Sequence, residues 1–416
     1  MVTKYTMVNP RITSSWLLLF AISLCPLFLI ACELPFAIQF EQEFVQPLVQ
    51  EMPGGALIVV DHGQVVLQKV YGVRSEKDSL PITEETLFRI ASISKTFASA
   101  AVSLLVEEDL VQWQTPLTDN LQYLKFKRQD YGNEINLHHL MSQSTGLMPH
   151  AYTNLIEDNM SFKKIVNRLD KVDFICEPGA CYGYQNVVFS LVGELVYAKT
   201  NIEYEAFVAD RLFKPLDMSR ASFGRAAFVN DDNHAKPHVW TGNRWAPVRT
   251  TDHYYRIAPA AGINASIVDM KEWLLAQLGH KPLVFETEML DRMHTGAIRT
   301  TRRQAHYRNR KELGNVYYGL GWRVFDYAGE SGFVHHGGHV RGMRSEMVFN
   351  RNLQTGMVFL TNSEPSRMND LIFDFVELHR RSRIEAGVAD VPSQDVHGQE
   401  TSPPQPASSG VLVTGS

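Results

Sequence analysis

The sequence predicts an α+β fold: an antiparallel sheet built from both chain ends, flanked by helices, with a mostly helical region inserted between them. Three observations predict it. Two β-rich runs joined by a short turn stand near the start, at Gly55–Val60 and Gln64–Tyr71. Helical patterns with long loops fill the middle, from Ser94 to about residue 310. The β-rich pattern then returns at Tyr318–Phe325, Ser345–Asn350 and Thr355–Thr361, before a closing helix over Met368–Arg383. Strands at both ends with helices between them fit one sheet shared by the termini.

The elements follow in order. Lys4 and Arg11 precede an apolar run of 16 residues, WLLLFAISLCPLFLIA, shorter than the roughly 20 that a spanning helix needs. A basic start, an apolar middle and a small residue at the break describe a secretory signal. The break, Leu29-Ile30-Ala31-Cys32, resembles the bacterial lipobox, which implies lipidation of Cys32. Residues 1–32 are therefore read as a lipoprotein-type signal, and the protein as exported and lipid-anchored in a bacterial cell envelope. Acyl chains contribute about 0.8 kcal/mol per buried CH₂, so several hold a protein stably on a membrane. A helical lead-in covers the stretch to about residue 52. Asp61-His62-Gly63 then joins the two β-rich runs as a hairpin.

Helices are predicted over Ala98–Leu110, Leu137–Leu147, Val187–Lys199 and Val268–Leu278. Between them, His234–Ala261 is irregular and rich in aromatics, either a functional segment or a surface loop stiffened by packed rings. Thr300–Lys311 is basic and reads as a solvated loop. Cys176 and Cys181 flank a Pro-Gly turn; in an exported chain this spacing reads as a disulfide, and no second ligand pair supports a metal site. From Gly387 the chain turns Pro/Ser/Gln-rich, so the domain is placed at 33–386 and a disordered tail at 387–416.

With 44% hydrophobic and 20% charged residues in 416, the chain has material for a large core. A net charge of −5 without a basic arm argues against nucleic acid as a partner. The expected partner is a small-molecule or peptide substrate, with the chain a monomer and no cofactor required.

Three stretches carry chemistry. In Phe88–Ala101 a turn feeds a helix, and Ser92 and Lys95 stand three residues apart, on one helical face. A serine hydroxyl needs a neighbour to take its proton, and a lysine does so when burial keeps it neutral. Read alone, Ser92 could equally cap the helix while Lys95 faces water. Second, Tyr184-Gln185-Asn186 precedes an apolar helix; a tyrosine beside Lys95 can share proton traffic, and Asn186 offers an amide to Lys95 and to a substrate carbonyl. Third, His335-His336-Gly337-Gly338-His339 leads into a predicted strand, where glycines would let a substrate lie along the edge and a backbone N–H beyond Gly338 could meet an oxyanion. The three histidines lack a helical i, i+4 pair and any nearby carboxylate, so no metal is assigned.

In this order the motifs S-x-x-K, Y-x-N and H-x-G resemble those of the serine β-lactamase and penicillin-binding-protein superfamily, and the class C β-lactamase-related enzymes most. INLHHLMSQSTGL, PAAGINASIVDMKEWL and YGLGW match the family's habits too, and the resemblance spans about residues 50–380. It implies the β-lactamase/transpeptidase-like fold and a serine hydrolase that forms an acyl-enzyme on Ser92. Lys95 and Tyr184 would handle the proton, Asn186 would position the acyl side chain, and the backbone N–H groups of Ser92 and His339 would form the oxyanion hole. His336, ahead of Gly338, would stabilise Tyr184 or a substrate carboxylate. Penicillin-directed members usually carry lysine at that place, and histidine is largely neutral at pH 7. The substrate is thus left among β-lactams, D-amino-acid peptides and esters. The other reading is a penicillin-binding or sensing lipoprotein that is acylated without efficient turnover.

Overall fold

A computed structural model describes residues 35–307 and 310–387. The expectations for residues 1–32, Cys32 among them, and for residues 388–416 lie outside the described residues. The lead-in opens with α1 (Phe36–Phe40) and runs on through Glu41–Val45 and Gln46–Val49. Next come β1 (Gly54–Asp61) and β2 (Gln64–Gly72), with His62 and Gly63 both at positive φ in the connecting turn. Helices α2 (Ser94–Glu107), α3 (Leu191–Thr200) and α4 (Ile267–Gln277) dominate the middle. The sheet resumes with β3 (Ile298–Arg299), β4 (Leu313–Tyr318), β5 (Arg323–Tyr327), β6 (Glu330–Val340), β7 (Met343–Asn350) and β8 (Thr355–Thr361), and α5 (Met368–Glu385) closes the fold.

These eight strands form one antiparallel sheet in the order β2-β1-β8-β7-β6-β5-β4-β3. The N-terminal hairpin joins the C-terminal strands through β1 and β8, where Ile58 lies opposite Val358. Both faces of the sheet are covered, which explains the unbroken apolar run of β1. Ala56, Ile58 and Val60 pack toward the helical region, while Leu57 and Val59 pack toward α1 and α5. On the latter side Phe36 and Phe40 meet Phe375 edge-on. Helix α2 is buried from Ser94 to Leu105, and its small residues let neighbours close in from all sides.

Several sequence expectations change, among them the helix expected over Leu137–Leu147, which ends at Met141. Tyr318–Phe325 is not one strand: Gly319 N–H bonds Trp322 O at 2.7 Å, Gly321 takes φ 78°, and the chain reverses between β4 and β5. His335–His339 does not precede a strand but lies within β6. The basic stretch from Thr300 also departs from a solvated loop, since Ala305 and Tyr307 are buried and Arg310 pairs with Asp370 and Asp374. The segment 234–261 holds a small hairpin, His238–Trp240 with Trp245–Pro247, and a turn that ends at Ala258–Ala261.

Candidate active site

Ser92 sits on the tight turn Ala91–Ile93 at the mouth of α2, half-buried, with Ala91 held at φ 47°. That left-handed value is costly for a residue with a Cβ and marks a turn its surroundings hold in place. One constraint is β6. A Cβ on Gly338 would lie 2.1 Å from Ile90 O and 2.2 Å from Ser345 Oγ, and Ser345 Oγ donates to Ile90 O at 2.9 Å. Gly338 therefore lets the strand dock against the serine turn itself, a tighter reason than the substrate clearance expected from sequence.

Lys95 is wholly buried in the first turn of α2. Its Nζ lies 2.8 Å from Asn186 Oδ1, 3.0 Å from Ala260 O and 3.4 Å from Ser92 Oγ. Two of these partners only accept, whereas the serine hydroxyl can also donate. A neutral amine, with two hydrogens and one lone pair, satisfies all three when its lone pair takes the Ser92 hydrogen. Burial, then the charge of Arg323, pushes the lysine pKa well below its usual range. The Tyr184 ring lies 4.7 Å from Nζ. Burial raises the Tyr184 phenol, partly countered by hydrogen bonding with Ser92 and by Arg323, so it is protonated at neutral pH. The fold thus brings Ser92, Lys95, Tyr184 and Asn186 together.

Two loops hold this wall. Gln143, at φ 59°, accepts from Gln185 N at 2.7 Å through its side chain and from Gly183 N at 2.8 Å through its carbonyl. The stretches SQSTGL and Cys176–Asn186 are clasped in this way. Cys176 and Cys181 are disulfide-bonded, 6.2 Å apart at Cα, in the turn beside Tyr184. The PAAG stretch supplies the Ala260 carbonyl to Lys95.

The opposite wall is the sheet edge. Pairing of β6 with β5 ends at His335 opposite Arg323, while pairing with β7 continues to Val340. On the side away from β7, residues 336–340 therefore present an edge with no strand neighbour among the described residues. His336 is buried: its Nε2 meets Tyr318 Oη at 3.2 Å and its Nδ1 meets Gly337 O at 2.8 Å. A carbonyl only accepts, so Nδ1 carries the hydrogen and Nε2 takes one from Tyr318. Burial, then the charge of Arg323, holds its pKa well below the usual range. His336 is thus a neutral ring tied to Tyr318, not the charged group that a carboxylate would seek. The His339 side chain turns outward to Glu364 at 2.6 Å, leaving only its backbone for the site.

Sequence reasoning missed Arg323. It is buried, lies 5.9 Å from the Tyr184 ring and 5.8 Å from the Tyr318 ring, and bonds Gln304 O at 3.4 Å. Among the described residues no carboxylate pairs with it. A guanidinium cannot shed its proton, so burial leaves a permanent charge here. Its signal was the residue after YGLGW, hidden by reading that stretch as one strand. His150, His306 and Tyr307 were missed as well; with Ser92, Tyr184 and Arg323 they line one cavity of about 290 Å³. Two carboxylates lie near the histidines that the sequence did not pair with them: Glu346, which meets His335 at 2.8 Å from the adjacent strand, and Glu364 beside His339.

The comparisons with known proteins give the family and the fold. The curated "Protein flp" of Staphylococcus aureus (strain NCTC 8325 / PS 47) is 23% identical over 326 residues, 75% of this chain but only 60% of that relative's length. A "Beta-lactamase" of Yersinia enterocolitica is 22% identical, covering 67% of this chain and 66% of its own. The octameric penicillin-binding protein homologue from Pyrococcus abyssi has the same fold, with a TM-score of 0.71 at 21% identity, covering 84% of this chain and 77% of that one. The family model described as Beta-lactamase matches residues 40–379, and the chain belongs to that family.

Proposed function

We propose that this protein is a serine acyl-transfer hydrolase, related to the class C β-lactamases, that favours acyl donors whose leaving group carries a carboxylate. One observation supports it most: Lys95 Nζ is held by two acceptor-only partners with Ser92 Oγ at 3.4 Å. In this reading the Ser92 proton passes to Lys95 as Oγ bonds the acyl carbon, and the N–H groups of Ser92 and His339 receive the oxyanion. Tyr184, protonated beside Ser92, relays that proton to the departing group. Water then hydrolyses the ester, and Asn186 positions both Lys95 and the acyl side chain. Arg323 takes the charge-bearing role that the family's lysine would fill at His336.

The test is incubation with a fluorescent penicillin, nitrocefin and a p-nitrophenyl ester, beside Ser92→Ala. Turnover lost in the variant supports the hydrolase. Label retained without turnover supports the penicillin-binding reading. No Ser92-dependent reaction with any of the three sinks both. The same proposal carries lipid anchoring through Cys32: metabolic labelling with palmitate is expected in the wild type and lost in Cys32→Ser, and an unlabelled wild type overturns it.

A further inference from the structure

Beyond the reacting groups the cavity holds a second polar chain that the acyl-transfer chemistry does not use. Tyr307 Oη lies 2.8 Å from His335 Nδ1, His335 Nε2 lies 2.8 Å from Glu346 Oε2, and Arg344 donates to Glu346 Oε1 at 2.8 Å and to Asn369 Oδ1 at 2.7 Å. Tyr307, His335 and Glu346 are all buried, and all line the cavity that holds Ser92. The Tyr307 ring is gripped edge-on by Phe325 and Phe373, with centroids at 5.4 and 5.1 Å. Its hydroxyl is thereby fixed in place.

The chain has one direction. Burial would push the Glu346 carboxyl up, but the His335 bond and the Arg344 charge outweigh it and keep it ionised. An ionised carboxylate only accepts, so His335 donates from Nε2. Burial holds the ring neutral against the pull of Glu346, which leaves Nδ1 bare. Nδ1 then takes the Tyr307 hydrogen, and the phenol has only lone pairs left for the cavity.

We propose that Tyr307 is a specificity-determining residue, locked by His335 and Glu346 as a hydrogen-bond acceptor, so that the site selects a leaving group bearing a hydroxyl or other donor as well as its carboxylate. The inference rests on acyl transfer at Ser92. It yields an inversion that a merely structural chain would not. In Glu346→Gln the single amide oxygen is claimed by Arg344, which can only donate. The amide NH₂ then faces His335 Nε2, which must accept; Nδ1 gains the hydrogen and donates to Tyr307, whose own hydrogen turns to the cavity. The acceptor becomes a donor.

The experiment measures kcat/KM for N-acetyl-D-alanyl dipeptides ending in D-serine and D-homoserine, each against its O-methyl ether, with the wild type, Tyr307→Phe and Glu346→Gln. The wild type is expected to prefer the free hydroxyl at one chain length by about tenfold or more, because a buried acceptor left unpaired is costly. Tyr307→Phe should bring that ratio near one, and Glu346→Gln should favour the ether. Nitrogen-15 NMR of the His335 ring reads the chain without turnover: Nδ1 unprotonated in the wild type and protonated in Glu346→Gln. A protonated wild-type Nδ1, or a ratio unmoved in Tyr307→Phe, overturns the proposal. Phosphonate labelling of Ser92 separates the two failures. Label with no discrimination removes the role of Tyr307 alone; an unlabelled wild type removes the serine chemistry and with it the selection proposed.

Discussion

Lys95 and Arg323 lie in one site, both buried and neither paired with a carboxylate among the described residues, yet burial can discharge only one of them. Burial penalises both charges. The lysine can escape by shedding its proton: burial pushes its pKa well below the usual range, and its neighbours, two acceptors and a hydroxyl, suit the neutral amine. The guanidinium has no such escape and keeps its charge, 5.9 Å from the Tyr184 ring and 5.8 Å from the Tyr318 ring. In the proposed function one wall holds a base and the other an anchor, and the two are coupled: the Arg323 charge adds to burial in lowering the Lys95 pKa.

The comparison can be broken at either cation. The largest effect is expected at the group that Lys95 serves. Ser92→Ala should lower kcat/KM by on the order of 10⁴-fold or more, measured by ester turnover. Lys95→Arg comes next. It puts a permanent charge where the account has a neutral amine and cannot take the serine proton, so kcat/KM should fall by about 10²–10⁴-fold, as far as in Lys95→Met. An Arg variant that retains activity would remove the neutral-base assignment. Arg323→Gln should cut the preference for carboxylate-bearing over neutral substrates by roughly 10–100-fold, the worth of one charged hydrogen-bonded contact. It should also move the pH profile. Losing a nearby positive charge raises the Lys95 pKa, so the amine is protonated up to a higher pH, and the acid limb of kcat/KM shifts toward alkaline pH. A limb that stays in place or moves to acid would uncouple the two residues. The smallest effect lies behind the helical wall. Replacing both cysteines, Cys176→Ser with Cys181→Ser, opens a five-residue separation and should cost about 2 kcal/mol in chemical denaturation, with activity loss following the looseness of the Tyr184 turn.

What was legible in the sequence follows the range of the forces involved. The β1–β2 hairpin, the strand of Thr355–Thr361 and the closing helix are local patterns, and they stand where periodicity puts them. Ser92 and Lys95 share a helical face because three residues make nearly one turn. Glu346 lies opposite Gly337 and reaches His335 diagonally across the strands, in a register that no short motif encodes, so the sequence offered no carboxylate to the histidine cluster. Arg323 was hidden for the opposite reason: Tyr318–Phe325 has strand composition throughout, and only the glycines at 319 and 321 break it into a turn that carries the arginine to the open edge. Gly338 was visible as a glycine, but its reason, the Ile90 carbonyl against it, is tertiary.

The measurement closest to the central claim is intact-protein mass spectrometry across pH, following acylation of Ser92 by a penicillin or a p-nitrophenyl ester in the wild type, Ser92→Ala and Arg323→Gln. The account predicts a single acyl mass on the peptide holding Ser92, absent from Ser92→Ala, with an acid limb that moves to higher pH in Arg323→Gln. Acylation elsewhere in the chain, or persistence of the same adduct in Ser92→Ala, would contradict it.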